Sequence, residues 1–154
     1  MFKENLNVEE LTIERCNKET DELIKQESPS FLEDSLDYLK LNRNQYIFLE
    51  ADWFDKMNID GLSIELDDVF GNFEAMFGLK LQKKYRGEIE MYLERTLQGE
   101  KRYELLFNGD DGLWDVNISI NDLPLYNEGM SLIGAIEIIC GFLFEMIEEI
   151  KEGK

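Results

Sequence analysis

Two short stretches gather carboxylates beside residues able to use them. In Asn108-Gly109-Asp110-Asp111-Gly112, two adjacent acids sit in a turn-forming context, and oxygen-rich turns are where calcium is held. A calcium loop, however, spaces its ligands at alternate positions and closes on a bidentate Glu. Here the acids are neighbours with strand-like flanks, so a turn whose Asn, Asp and Gly tolerate positive φ is the preferred reading. In Glu50-Ala51-Asp52-Trp53-Phe54-Asp55, large aromatics alternate with acids. Such a mixture suits a protein interface, with Trp as anchor and carboxylates pairing with Arg or Lys of a partner. The competing reading is a core Trp with solvated neighbours. The candidate partner-binding residues are therefore Asp52, Trp53 and Asp55, with Asp110 and Asp111 as a second pair.

Catalytic chemistry finds less support. The chain has no histidine, which removes imidazole bases, Ser–His and Cys–His nucleophile pairs and the commonest metal ligand. Cys16 and Cys140 are far apart and in no CxxC arrangement, so neither a zinc ribbon nor a redox pair is indicated. No GxxxxGK[ST], GxGxxG or GxSxG occurs, and no carboxylate pair is singled out by spacing. The expectation is a protein that is not an enzyme, with no catalytic residues, cofactor or metal.

The 34 acidic and 16 basic residues leave a formal charge of −18. Binding a phosphate backbone draws its affinity from Lys and Arg displacing counterions, so nucleic acid is excluded as a partner, and anionic membranes on similar grounds. A basic protein partner suits such a surface, because complementary potentials speed encounter; plain solubility is the alternative use of the charge. The surplus is uneven: residues 1–70 carry −11, residues 71–105 carry +1 and residues 106–154 carry −8. The start of the chain lacks the apolar core of a signal peptide, and the apolar stretch after Met130 is interrupted by Glu137 and Glu145, which argues against a membrane span. A cytoplasmic address is expected.

The 154 residues are the size of one domain, so residues 1–154 read as a single unit. Residues 11–16 alternate like a strand, and residues 21–26 read as helix. Ser30 and Glu33 form a capping box for a helix through Leu36 and Leu39. Residues 45–57 keep helical spacing, although Tyr46-Ile47-Phe48-Leu49 fits a short buried strand equally well. Residues 64–77 read as a helix through Leu66, Val69, Phe70, Phe73 and Phe77, and a further helix through Tyr85, Ile89, Tyr92 and Leu97 ends at Gly99. Residues 102–107 and 113–120 make the clearest β signal, with Trp114, Val116, Ile118 and Ile120 on one face and Asp115, Asn117 and Ser119 on the other. Ser131 caps a long C-terminal helix with a wide apolar arc, destined for the core or for a homodimer seam. The expected fold is α+β: a helix-rich single domain whose antiparallel β-hairpin packs on the long C-terminal helix.

In size, acidity and layout, with no diagnostic motif, the whole chain resembles bacterial toxin immunity proteins, and also the class I chaperones of type III secretion, which are small acidic α+β dimers. The first resemblance implies an antitoxin that neutralises a basic toxin domain by direct binding, in the manner of a nucleic-acid mimic or away from the active site. The second implies an effector chaperone. A small enzyme using Asp or Glu is the remaining alternative.

Overall fold

Alternation with period two governs more of the chain than its helical spacings suggest. In the computed structural model, which describes residues 6–153, seven strands make one antiparallel sheet: β1 (Thr12–Asn17), β2 (Leu23–Glu27), β3 (Gln45–Glu50), β4 (Ile59–Leu66), β5 (Phe73–Leu79), β6 (Tyr103–Asn108) and β7 (Leu113–Ser119). Their spatial order is β2-β1-β3-β4-β5-β7-β6. Three helices accompany them: α1 (Tyr38–Leu41), α2 (Arg86–Thr96) and α3 (Leu132–Gly153).

One face of the sheet is the core. Ile13, Ile47, Leu49, Leu62, Ile64, Ala75, Trp114 and Ile118 are fully buried there, in one cluster with Ala135, Ile136, Ile139, Cys140 and Leu143 of α3. Those α3 positions recur at three- and four-residue steps, while Glu145, Glu148 and Glu149 stay exposed. Ser131 caps the helix as expected, its Oγ accepting the Gly134 N–H at 3.0 Å. Helix α2 closes one flank: the Tyr92 ring lies 5.1 Å from that of Phe142, and its hydroxyl donates to the Phe142 carbonyl at 3.0 Å. The partly buried residues of α3, Ile133, Ile138 and Phe144, also pack against this core, so the wide apolar arc is used largely within the chain.

The α+β class and the long C-terminal helix are as expected; the helix-rich description is corrected to a sheet-dominated one. Of residues 21–26, those from Leu23 on belong to edge strand β2 (Leu23–Glu27), and none is helical. The capping box at Ser30 opens no α-helix: residues 29–33 are a 3-10 turn entered from Ser28, and only the four residues of α1 follow. Residues 45–57 split into β3 and a 3-10 helix, Asp52–Met57. Residues 64–77 form the β4–β5 hairpin. The physical reason for that last correction is the turn. Asp67 Oδ2 accepts the amides of Val69 and Phe70 at 3.1 and 2.6 Å, and Gly71 takes a φ of +74°, so the chain reverses where a helix would have continued. Val69 and Phe70 are left exposed at the tip.

Candidate functional site: an uncovered acidic sheet face

Residues that alternate with the core positions point to the opposite face, where, among the described residues, Phe48, Ser63, Met76 and Asn117 are half-buried and Glu104, Leu106 and Asp115 exposed. Across it runs one facing row: Glu14 opposite Phe48, Phe48 opposite Ser63, Ser63 opposite Met76, Met76 opposite Asn117, and Asn117 opposite Glu104. A second row pairs Thr12 with Glu50, and Gly78 with Asp115 and then Leu106. Between the rows lies a trough of about 540 Å³ walled by Phe48, Met76 and Leu106 and edged by Glu50, Asp60, Glu104 and Asp115. Two glycines shape its floor. The Phe48 ring lies so close over Gly61 that a Cβ there would meet it at 2.9 Å. At Gly78 the Asp60 carboxylate occupies that space, with Oδ1 accepting the Gly78 N–H at 2.9 Å and the Gly61 N–H at 2.6 Å.

Charge on this face is uncompensated. Among the described residues, none of Glu14, Glu50, Asp60, Glu104 and Asp115 forms an ion pair. At the other end of the strands, Glu65 faces Glu74 across β4 and β5. Burial pushes both carboxyls above the ordinary range; Lys18 opposes the shift at Glu65, and a hydrogen bond from Asn117 opposes it at Glu74. Lys18 bridges Glu65 at 3.8 Å and Asp68 at 3.3 Å, so this end is partly neutralised while the trough is not.

The residues singled out in the sequence fall around the trough unequally. Asp52 and Asp55 line a depression of about 590 Å³ that shares Glu50 and Asp60 with it. Asp55 is paired with Lys80 at 3.2 Å. Trp53 is only 8% exposed; its ring stacks edge-on against Phe54 and its indole N–H donates to the Asn7 carbonyl at 3.1 Å. It therefore packs, and the apolar anchor expected of it is not presented to solvent. The cause is local: a strand followed by a 3-10 helix turns Trp53 inward beside exposed Asp52, where an α-helix would have shared them on one face. Asp110 and Asp111 occupy the β6–β7 turn, organised by Asn108, whose Oδ1 accepts the Asp110 amide and whose Nδ2 donates to Asp111. Because β3, β5 and β6 run in the same direction in this antiparallel order, both acidic pairs lie at one end of the sheet. They are four strand spacings apart, about 19 Å.

Glu14, Asp60, Glu104, Phe48, Met76 and Leu106 were not anticipated. The signal present was the polar face of β7, Asp115-x-Asn117-x-Ser119, which belongs to this surface apart from the buried Ser119. Among the described residues no group of three or more Cys, Asp and Glu is placed to hold a metal ion, and no helix is long and apolar enough to cross a membrane. The Cys140 thiol is fully buried, which pushes its pKa up to about 12 and leaves it a small core hydrophobe. The arrangement is an apolar strip of Phe48, Met76 and Leu106 rimmed by carboxylates on the sheet surface. No family model, no curated protein and no solved structure matches the chain.

Proposed function

We propose that this chain is an acidic binding protein of the immunity type, which neutralises a basic toxin domain in the cytoplasm by laying the open sheet face against it. The observation that carries the reading is the row of unpaired carboxylates around Phe48, Met76 and Leu106. Acids supply long-range attraction to a Lys- and Arg-rich surface, and the apolar strip supplies a desolvated centre of the kind that dominates interface energetics. A nuclease groove shaped for phosphates offers such a basic surface, and carboxylates on a rigid sheet can occupy it in place of the nucleic acid. Asp52 and Asp110–Asp111 extend the same acidic end and would steer approach.

The test is co-expression with the toxin domain encoded by a neighbouring reading frame. The expected result is protection of growth and a stable complex, with protection lost in an Asp60→Lys/Asp115→Lys variant whose circular dichroism is unchanged. Failure of the natural chain to protect, or undiminished protection by the charge-reversed one, overturns the reading. Recovery of a secreted effector in place of a toxin would replace it with the chaperone function.

A further inference from the structure

The two edges of the sheet are built differently. At β2 the strand is short and bulged, with a register shift opposite Arg15 and Cys16. It carries Lys25 and Glu27, and Glu27 is tied to Arg15 at 2.6 Å. Bulges and charges of this kind are how sheet edges are kept from pairing. Edge strand β6, Tyr103-Glu104-Leu105-Leu106-Phe107-Asn108, is less protected: it carries one charge, Glu104, its register with β7 is unbroken, and it contains no Pro, Lys or Arg.

Its backbone is open in a defined pattern. The Ser119 N–H donates to the Arg102 carbonyl at 3.1 Å, so in the alternation of an antiparallel ladder residues 104, 106 and 108 bond β7. The N–H and C=O of Tyr103, Leu105 and Phe107 then point away from the sheet. The side chains of the same three residues face the core side and are only partly buried, packed against the edge of the core cluster.

We propose that β6 is the homodimerisation edge of this protein. Two copies pair β6 to β6, antiparallel, about a two-fold axis through Leu105, and join their sheets into one. In this register Leu105 faces Leu105 and Tyr103 faces Phe107, and every outward N–H and C=O of the three residues gains a partner. Two aromatic pairs and one Leu pair form on the core side, each a stabilising cross-strand contact. On the other face Glu104 stands opposite Leu106, which is 64% exposed in one copy alone; no like charges stand directly opposite, the two Glu104 carboxylates being diagonal neighbours about 7–8 Å apart. The edge is locally less acidic than the rest of the chain, residues 71–105 carrying +1, which lowers the repulsion that a second copy meets. The cationic groups of the chain's neutral middle gather here: Lys83 lies 5.9 Å from the Phe107 ring, Arg86 5.0 Å from the Trp114 ring beside it, and Arg102 leads into the strand. Because the two-fold stands perpendicular to the sheet, both acidic faces lie on the same side of the dimer. The proposal is independent of what those faces bind.

The experiment is sedimentation equilibrium of the full chain at roughly 1–200 µM, the range over which a micromolar dimer changes its population. The natural chain is expected to pass from monomer to dimer and to dimerise more strongly at higher salt, because screening reduces the repulsion between two chains of like charge. Leu105→Lys, which sets like charges opposite each other, is expected to remain monomeric with an unchanged circular dichroism spectrum. Should that variant not fold, Glu104→Cys/Leu106→Cys replaces it. In the stated register these positions face each other at about 4.5 Å between Cα atoms, within disulfide reach, so mild oxidation should give a covalent dimer; Leu106→Cys alone, about 7–8 Å from its copy, should crosslink poorly. A natural chain that stays monomeric throughout, a folded Leu105→Lys that dimerises equally well, or a double-cysteine variant that does not crosslink overturns the proposal.

Discussion

Asp60 stands over Gly78. Its Oδ1 accepts the Gly78 N–H at 2.9 Å across the β4–β5 pair, and its Oδ2 lies 2.5 Å from where a Cβ on residue 78 would be. The glycine is required because the carboxylate fills that space, and the carboxylate is fixed because the glycine leaves its amide accessible. Gly78→Ala is therefore expected to displace Asp60 and cost about 1.5–2 kcal/mol, the lower part of the range for hydrogen bonds to charged groups, since the carboxylate is exposed. Asp60→Ala should cost a similar amount, and the double variant little more than either. Urea unfolding measures all three; a neutral Gly78→Ala would mean the Asp60 contact contributes nothing.

Glu65 and Glu74 make stability depend on pH. Burial raises both carboxyls above the ordinary 4.5 in the folded chain, so the native state holds protons that the unfolded chain has already released. Stability is then expected to rise as pH falls from neutrality through the raised folded values towards 4.5, opposite to the behaviour of salt-bridged acids. Glu74→Gln keeps an acceptor for Asn117 and removes the like charge facing Glu65. It should stabilise the chain at pH 7 by roughly 0.2–1 kcal/mol, the size of a cross-strand pair, and flatten the slope. Denaturation midpoints between pH 5 and 8 test this; an unchanged slope would show that the pair is already relieved by Lys18.

The seam between α2 and α3 should be costly to open. Phe142 is 6% exposed and packs on Tyr92, so Phe142→Ala is expected to lose about 3–5 kcal/mol. Tyr92→Phe keeps the ring and removes only the hydroxyl that reaches the Phe142 carbonyl, for about 0.5–1.5 kcal/mol. A Phe142→Ala loss under about 1 kcal/mol, typical of surface positions, would contradict the packing.

Trp53 separates stability from recognition. Since it is buried and bonded to Asn7, Trp53→Ala should destabilise by about 3–5 kcal/mol. Trp53→Phe should leave partner affinity within twofold while lowering the melting temperature. A folded Trp53→Phe with a large affinity loss and no stability change would return Trp53 to the interface.

If the open face receives a basic partner, association should slow as salt is raised to physiological strength while dissociation changes little, because screening acts on the encounter. Asp60→Lys/Asp115→Lys should lower the on-rate more than Asp110→Lys/Asp111→Lys, whose charges lie beyond the trough, and more than Asp55→Lys, already offset by Lys80. Stopped-flow association at two salt concentrations decides it. An on-rate left unchanged by all three would assign the acids to solubility.

The elements legible from the residues alone are those whose period is unambiguous within one segment. The β6–β7 hairpin was legible because Trp114, Val116 and Ile118 alternate with Asp115 and Asn117 around an Asn-Gly-Asp turn, and α3 because its apolar positions persist over six turns of helix from a Ser cap. The acidity and the absence of imidazole chemistry also needed no structure. Long-range pairing was needed wherever an apolar pattern is shared between two segments. Leu66, Val69, Phe70, Phe73 and Phe77 imitate a helix face, yet Leu66 and Phe73 are cross-strand partners, and Val69 and Phe70 are the exposed tip of the turn Asp67 organises. The open face is of the same kind. Glu14, Phe48, Asp60, Glu104 and Asp115 come from five strands spread over about a hundred residues, and they meet only because strand order and register bring them side by side. Local periodicity fixes which way a side chain points; long-range pairing alone fixes what it points beside.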